Sequence, residues 1–262
     1  MQTENRQKLL LLGKVTLFLI IYIVLITVLF DVNIVGQIFP TLYRPLYMVM
    51  RGCFYLLVGL VLLTLFVKII DKKNLISAEW ISLKNRYEDF FIGGLFGSIC
   101  IFAAFLFTAI FYWHQIEIVP LKIDAFVLPA FFMGFCIALL EECVFRGYIL
   151  RQLLNKFSPL AALLLSTVPF AALHFLFYDN LSIIMVIIAI MNLTLAGILL
   201  GLLYLKTKNI WLAVGFHTFW NYAQSMYNLN AESINLFEFV CAIILILSII
   251  FFYKRYATTF TA

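Results

Sequence analysis

The chain has 262 residues, of which 65% are hydrophobic and 12% charged, with a formal net charge of +5 and a mean hydropathy of +1.07. That balance excludes an ordinary soluble globular domain and points to a polytopic membrane protein. Its five cysteines, Cys53, Cys100, Cys136, Cys143 and Cys241, lie in or beside apolar stretches with no CxxC pair, which argues against a disulfide scaffold or a cysteine-ligated metal. The basic excess is not interleaved with any binding motif, so no nucleic-acid partner is expected.

A helical span needs ~20 mostly apolar residues. Eight stretches qualify: Leu9–Phe30, Gly52–Ile70, Phe90–Tyr112, Ala125–Leu154, Pro159–Phe177, Leu181–Leu205, Ile210–Met226 and Leu236–Tyr253, the seventh being the shortest and most polar. The expected fold is all-α, a polytopic membrane bundle of about eight transmembrane helices. The longest polar connection, Asp71 to Asp89, is too short to fold alone. We therefore read 1–262 as one transmembrane domain, with scaffold helices over 1–123, a core over 124–226 that holds the intramembrane ionisable residues, and a C-terminal helix and tail over 227–262. The first span is too long for a signal-peptide core and is expected to be retained. Neither end carries a lipidation signal.

Lys and Arg collect on the cytoplasmic side of membrane proteins. An N-in, C-in arrangement puts Arg6, Lys8, Lys14, Lys68, Lys72, Lys73, Lys84, Arg86, Arg151, Lys156, Lys206, Lys208, Lys254 and Arg255 inside, and leaves only Arg44, Arg51 and Lys122 outside. A multi-pass protein of a cell membrane is expected, of the bacterial plasma-membrane kind.

The first three spans offer Gly, Ser and Thr as their polar content. Gly93, Gly94 and Gly97 at the start of the third would admit another helix at close range. His114, beside Tyr112 and Trp113, belongs with the aromatic residues of an interface.

The fourth span carries Glu141, Glu142 and Arg146, and ionisable groups at membrane depth signal function by default. Glu142 and Arg146 are i and i+4, share a helix face and can pair. Glu141 points about 100° away and stays outside that pair. A buried structural salt bridge would also explain the pair, but not the second glutamate.

Lys156-Phe157-Ser158-Pro159 reads as a turn into a new helix, with Ser158 as N-cap and Pro159 at the first helical position. Glu141 and His174 then lie ~25 Å from the turn along the two arms of a hairpin, at one level. Phe170 is one turn before His174 on its face, and Pro169 removes a backbone bond just ahead of it. In the sixth span, Asn192, Thr194, Gly197 and Gly201 are explained by helix-to-helix packing, with Asn192 lining a cavity as the alternative. In the seventh, His217 and Asn221 are again i and i+4 and suit a donor pair aimed at a developing negative charge, or a polar pair joining helices. Glu238 in the eighth reads as a snorkelling residue on a scaffold helix.

Together these residues supply a base, an acid and fixed donors, which is what hydrolysis of a carbonyl compound by water requires. Glu-Glu-x-x-x-Arg, Phe-x-x-x-His and His-x-x-x-Asn, in this order on three membrane helices, resemble the motifs of the CAAX prenyl endopeptidase and bacteriocin-processing (CPBP, Abi) family of intramembrane proteases. The likeness spans roughly Ala125 to Met226 and includes Glu141, Glu142, Arg146, Phe170, His174, His217 and Asn221.

The resemblance implies an endopeptidase that cleaves a membrane-associated, hydrophobic or prenylated peptide substrate. By position, Glu141 and His174 would activate water, His217 and Asn221 would form the oxyanion hole, and Glu142 and Arg146 would set the first glutamate's position and charge. Members of the family are often named metalloproteases. No cofactor is preferred here, because His-Glu-x-x-His is absent; zinc, if bound, would take Glu141, His174 and His217. Two other readings stand beside the enzyme: a catalytically idle immunity or scaffold protein of the same family, and a transporter using Glu141 as a proton relay. Helix rise also puts the site ~25 Å from the cytoplasmic turn, so either the fourth and fifth helices project from the bilayer or the site opens outward.

Overall fold

The computed structural model describes residues 2–32, 34–39, 42–73, 79–118, 127–175, 182–224, 227–229 and 231–256. Lys122 and the span limits Ala125, Phe177, Leu181 and Met226 lie outside the described residues, as does the domain boundary at 123–124. In chain order the helices are α1 (Gln2–Val32), α2 (Ile34–Ile38), α3 (Arg44–Ile69), α4 (Tyr87–Tyr112), α5 (Val127–Glu142), α6 (Arg151–Leu154), α7 (Pro159–Phe175), α8 (Ile183–Thr207), α9 (Trp211–Gln224) and α10 (Ala231–Tyr256). Between α5 and α6 the chain runs on without a break as a π-helical segment, Cys143–Leu150.

All eight predicted spans contain a helix, and six of these helices are long and apolar enough to cross a membrane: Thr3–Val28, Arg44–Ile69, Tyr87–Tyr112, Val127–Leu154, Ile183–Thr207 and Ser233–Lys254. The other two, α7 and α9, have 17 and 14 residues. At 1.5 Å per residue their described lengths reach ~25 and ~21 Å against a hydrocarbon core of ~30 Å, so among the described residues six helices are long enough to span. Strands β1 (Ile116–Ile118) and β2 (Tyr227–Leu229) pair antiparallel, Glu117 opposite Asn228. This short ribbon lies outside the all-α expectation and leaves the helical class unchanged.

Large apolar side chains face outward on the long helices, Ile110, Leu128 and Ile183 among them, as lipid contact requires. The polar groups at one end of the bundle join to each other instead. Asp71 accepts from Lys14 Nζ at 2.6 Å and from Gln152 Nε2 at 2.9 Å, and Lys156 Nζ donates to Gln7 at 2.7 Å. Lys14 and Lys156, which the sequence places on one side of the membrane, are thus both tied into polar bonds between helices. The turn into α7 is built as expected, the amide of Ala161 donating to Ser158 Oγ at 3.4 Å with Pro159 first in the helix.

Helices α4 and α9 touch backbone to backbone. A Cβ on Gly93 would strike the Leu212 carbonyl, one on Gly97 would lie 2.6 Å from the Phe216 carbonyl oxygen, and one on Gly215 would strike the Phe90 carbonyl. The glycine cluster therefore does what its spacing predicts, and the residue it seats is Phe216, next to His217. A turn at Glu79–Ile81 closes the polar end of the bundle. There Trp80 lies against Gly147, its carbonyl accepts from the Ile210 amide at 3.0 Å, and the Ile81 carbonyl accepts from Trp211 Nε1 at 3.0 Å.

Candidate active site

Every residue of Cys143–Leu150 is buried, and Arg146 is the largest of the fully buried side chains. A π-helical stretch shifts backbone bonding to i→i+5 and is frequent at functional sites. Despite that shift, Arg146 Nη1 donates to Glu142 Oε1 at 2.9 Å, as the i, i+4 spacing predicts. Arg146 Nη2 donates to the Gly197 carbonyl at 3.0 Å, and the guanidinium stacks 4.4 Å from the Phe170 ring centroid. Gly197 makes the first of these possible: a Cβ there would come within 2.8 Å of Thr167 and push α8 from α7. The small-residue spacing of the sixth span therefore works as packing and also opens one carbonyl to the arginine.

His174 and Glu141 meet across the hairpin, Nε2 to Oε2 at 3.6 Å. The Nδ1 of His174 lies 2.9 Å from the Phe170 carbonyl oxygen, an acceptor, so Nδ1 carries a proton and Nε2 is the nitrogen turned toward Glu141. Phe170 thus orients the histidine through its backbone and ring, the centroids being 4.8 Å apart.

His217 joins α9 to the fourth span. Its Nδ1 lies 3.0 Å from Glu142 Oε1, so Glu142 is shared by Arg146 and His217 and not held by Arg146 alone. The Nε2 of His217 faces Glu141 Oε2 at 3.8 Å. Three helices therefore converge on Glu141 Oε2, a buried oxygen with no hydrogen-bond partner among the described residues. Asn221, one turn beyond His217, lines the same cavity.

That cavity has a volume of about 320 Å³. Phe170, His174, His217 and Asn221 line one part of it, and apolar side chains from α8, α9 and α10, including Ile188, Leu193 and Trp220, line much of the rest. Asn192 takes both of its sequence readings at once, lining the cavity and donating to Glu238. Glu238 does not snorkel. It faces the cavity, accepting from Asn192 Nδ2 at 2.6 Å and Gln224 Nε2 at 3.0 Å. A lone glutamate near the end of an apolar helix gives the same sequence signal whether it faces lipid headgroups or an internal space, and its two partners sit on other helices.

Glu141, His174 and His217 are chemically suited to zinc, since each histidine turns Nε2 toward the carboxylate while Nδ1 is tied to an oxygen. As placed, no group of three His, Cys, Asp or Glu among the described residues is spaced to hold a metal ion.

Residues 122–223 match the family model for Rce1-like proteins, described as type II CAAX prenyl endopeptidase Rce1-like. The match supports the family likeness read from the three motifs, and all seven motif residues fall inside it. No curated protein and no solved structure matches the chain.

Proposed function

We propose, with the match of residues 122–223 to a CAAX prenyl endopeptidase family as premise, that the chain is an intramembrane endopeptidase acting on a hydrophobic or lipidated peptide through glutamate-activated water. The observation that carries this reading is the Glu141–His174 pair, 3.6 Å apart and beside an apolar-walled cavity with His217 and Asn221.

In this mechanism a water molecule donates one hydrogen bond to Glu141 Oε2 and another to His174 Nε2, then attacks the scissile carbonyl carbon. Its proton passes to the Glu141 carboxylate as the C–O bond forms. The carbonyl oxygen becomes an oxyanion, which Asn221 Nδ2–H stabilises together with His217 Nε2–H, the His217 ring carrying two protons with Nδ1–H held by Glu142. Collapse of the tetrahedral intermediate breaks the C–N bond, and Glu141 returns the proton to the leaving nitrogen. A positioned base of this kind contributes ~10²–10⁴-fold and each oxyanion donor ~10²–10³-fold. Arg146 compensates the buried charge of Glu142, which lets Glu142 hold His217 without itself acting as a base.

The test is cleavage of a hydrophobic peptide by the protein purified in detergent or lipid, with His174→Ala expected to abolish turnover while thermal unfolding stays as in the wild type. Full activity of that variant would overturn the mechanism and favour the idle scaffold reading. Metal analysis and chelation of the same preparation separate glutamate from zinc chemistry: cleavage persisting in metal-free protein is expected, and its loss with recovery on adding zinc would reverse the assignment.

A further inference from the structure

Glu238 is the carboxylate that lines the cavity among the described residues, and the mechanism above does not use it. Its side chain is held from two sides by neutral amides: Asn192 Nδ2 donates to Oε2 at 2.6 Å and to the Glu238 backbone carbonyl at 2.9 Å, and Gln224 Nε2 donates to Oε1 at 3.0 Å. The orientation of Asn192 is fixed by these contacts, because turning the amide over would set its oxygen against two acceptors. Asn192 Oδ1 is consequently buried with no partner among the described residues, on a side chain only 9% exposed that lines the cavity. Unsatisfied buried acceptors are rare in folded proteins and call for a partner.

The carboxylates of Glu142 and Glu238 thus differ in kind. Glu142 is compensated by a guanidinium, whereas the partners of Glu238 are two amides that bring no charge, and it takes part in no ion pair among the described residues. Met185, Ile188, Ala189 and Ile234 make the wall beside it apolar, and among the described residues no lysine or arginine lines the cavity. A cation bearing several N–H donors would satisfy both the carboxylate charge and the open acceptor of Asn192.

We infer that Glu238, Asn192 and Gln224 form a substrate subsite for a basic side chain, lysine or arginine, on an otherwise apolar peptide. The inference rests on the endopeptidase reading for its substrate, not for its binding chemistry. Along α9, His217 and Gln224 are separated by ~10 Å of helix rise. An extended peptide covers that distance in about three residues at ~3.3 Å each, so the basic residue lies about three positions from the scissile bond.

The test uses the full chain in lipid nanodiscs and neutral-dye-labelled octapeptides of Leu and Ala. One residue, walked along the peptide, is Lys, norleucine or Glu. Binding is read by fluorescence anisotropy on Glu141→Ala protein, so the peptides remain intact. At one register we expect Lys to bind about tenfold tighter than norleucine and Glu to bind weakest, and Glu238→Gln to bring Lys and norleucine within about twofold. Equal binding of Lys and norleucine at every register overturns the subsite, as does a preference that survives Glu238→Gln. The charge preference without cleavage by wild-type protein would retain the subsite and remove the endopeptidase. Cleavage without the preference would do the reverse.

Discussion

The wall that carries Glu141, Glu142 and Arg146 and the wall that carries His217 and Asn221 meet at the Glu142 carboxylate, yet each is held in place by different means. On the first wall, a π-helical stretch in which every residue is buried supports its polar groups by direct side-chain bonds, to a carboxylate, a carbonyl and an aromatic ring. On the second, the short helix α9 is seated by glycines whose missing side chains bring two backbones together. The first wall is therefore sensitive to charge and the second to volume.

The largest effect should come from the group on which both walls converge. Glu141→Ala is expected to lower peptide cleavage by at least ~10⁴-fold, the upper range for a positioned base, with no loss of helical circular dichroism or of a monodisperse elution profile. Next is the charge pair: Arg146→Met leaves Glu142 buried against His217 alone and should cost about 3–5 kcal/mol, read as a fall in the unfolding midpoint in detergent. The double change Glu142→Gln with Arg146→Met should recover part of that loss, because no uncompensated charge remains. An equal midpoint for single and double variants would mean that the first wall does not depend on charge.

Asn221→Ala should reduce kcat by ~10²–10³-fold with KM nearly unchanged, since an oxyanion donor acts in the transition state. The smallest effects come from volume, and their contrast is the sharpest check on the second wall. Gly215→Ala drives a methyl into the Phe90 carbonyl and should cost about 1–3 kcal/mol, whereas Gly134→Ala meets nothing within 4 Å and should stay within ~1 kcal/mol of wild type. Similar thermal midpoints for these two variants would remove backbone proximity as the cause.

The two walls also differ in how well the sequence reveals them. The Glu142–Arg146 pair, the level of His174 against Glu141 and the closeness allowed by Gly93 and Gly97 all follow from helix rise, period and side-chain size, and those quantities are properties of residue spacing. The π-helical stretch is not readable in that way, because Cys143–Leu150 keeps an apolar pattern compatible with an ordinary helix and the change lies in backbone bonding. The link between His217 and Glu142 joins residues 75 positions apart and depends on how α9 is rotated against α5. Glu238 was misread for the same reason, its partner Asn192 being 46 positions away on another helix.

The Trp80–Gly147 contact gives the molecule an optical reporter. The chain has four tryptophans, and Trp80 is 4% exposed with its ring against the π-helical stretch, whereas Trp113 is 62% exposed at the far end of α4. Emission from Trp80 is that of an indole shielded from water, so loosening of the Arg146 segment would redden it before the bundle as a whole unfolds. In a background with Trp113, Trp211 and Trp220 each replaced by Phe, the wavelength of intrinsic fluorescence would follow the integrity of the wall that carries Arg146 without any label.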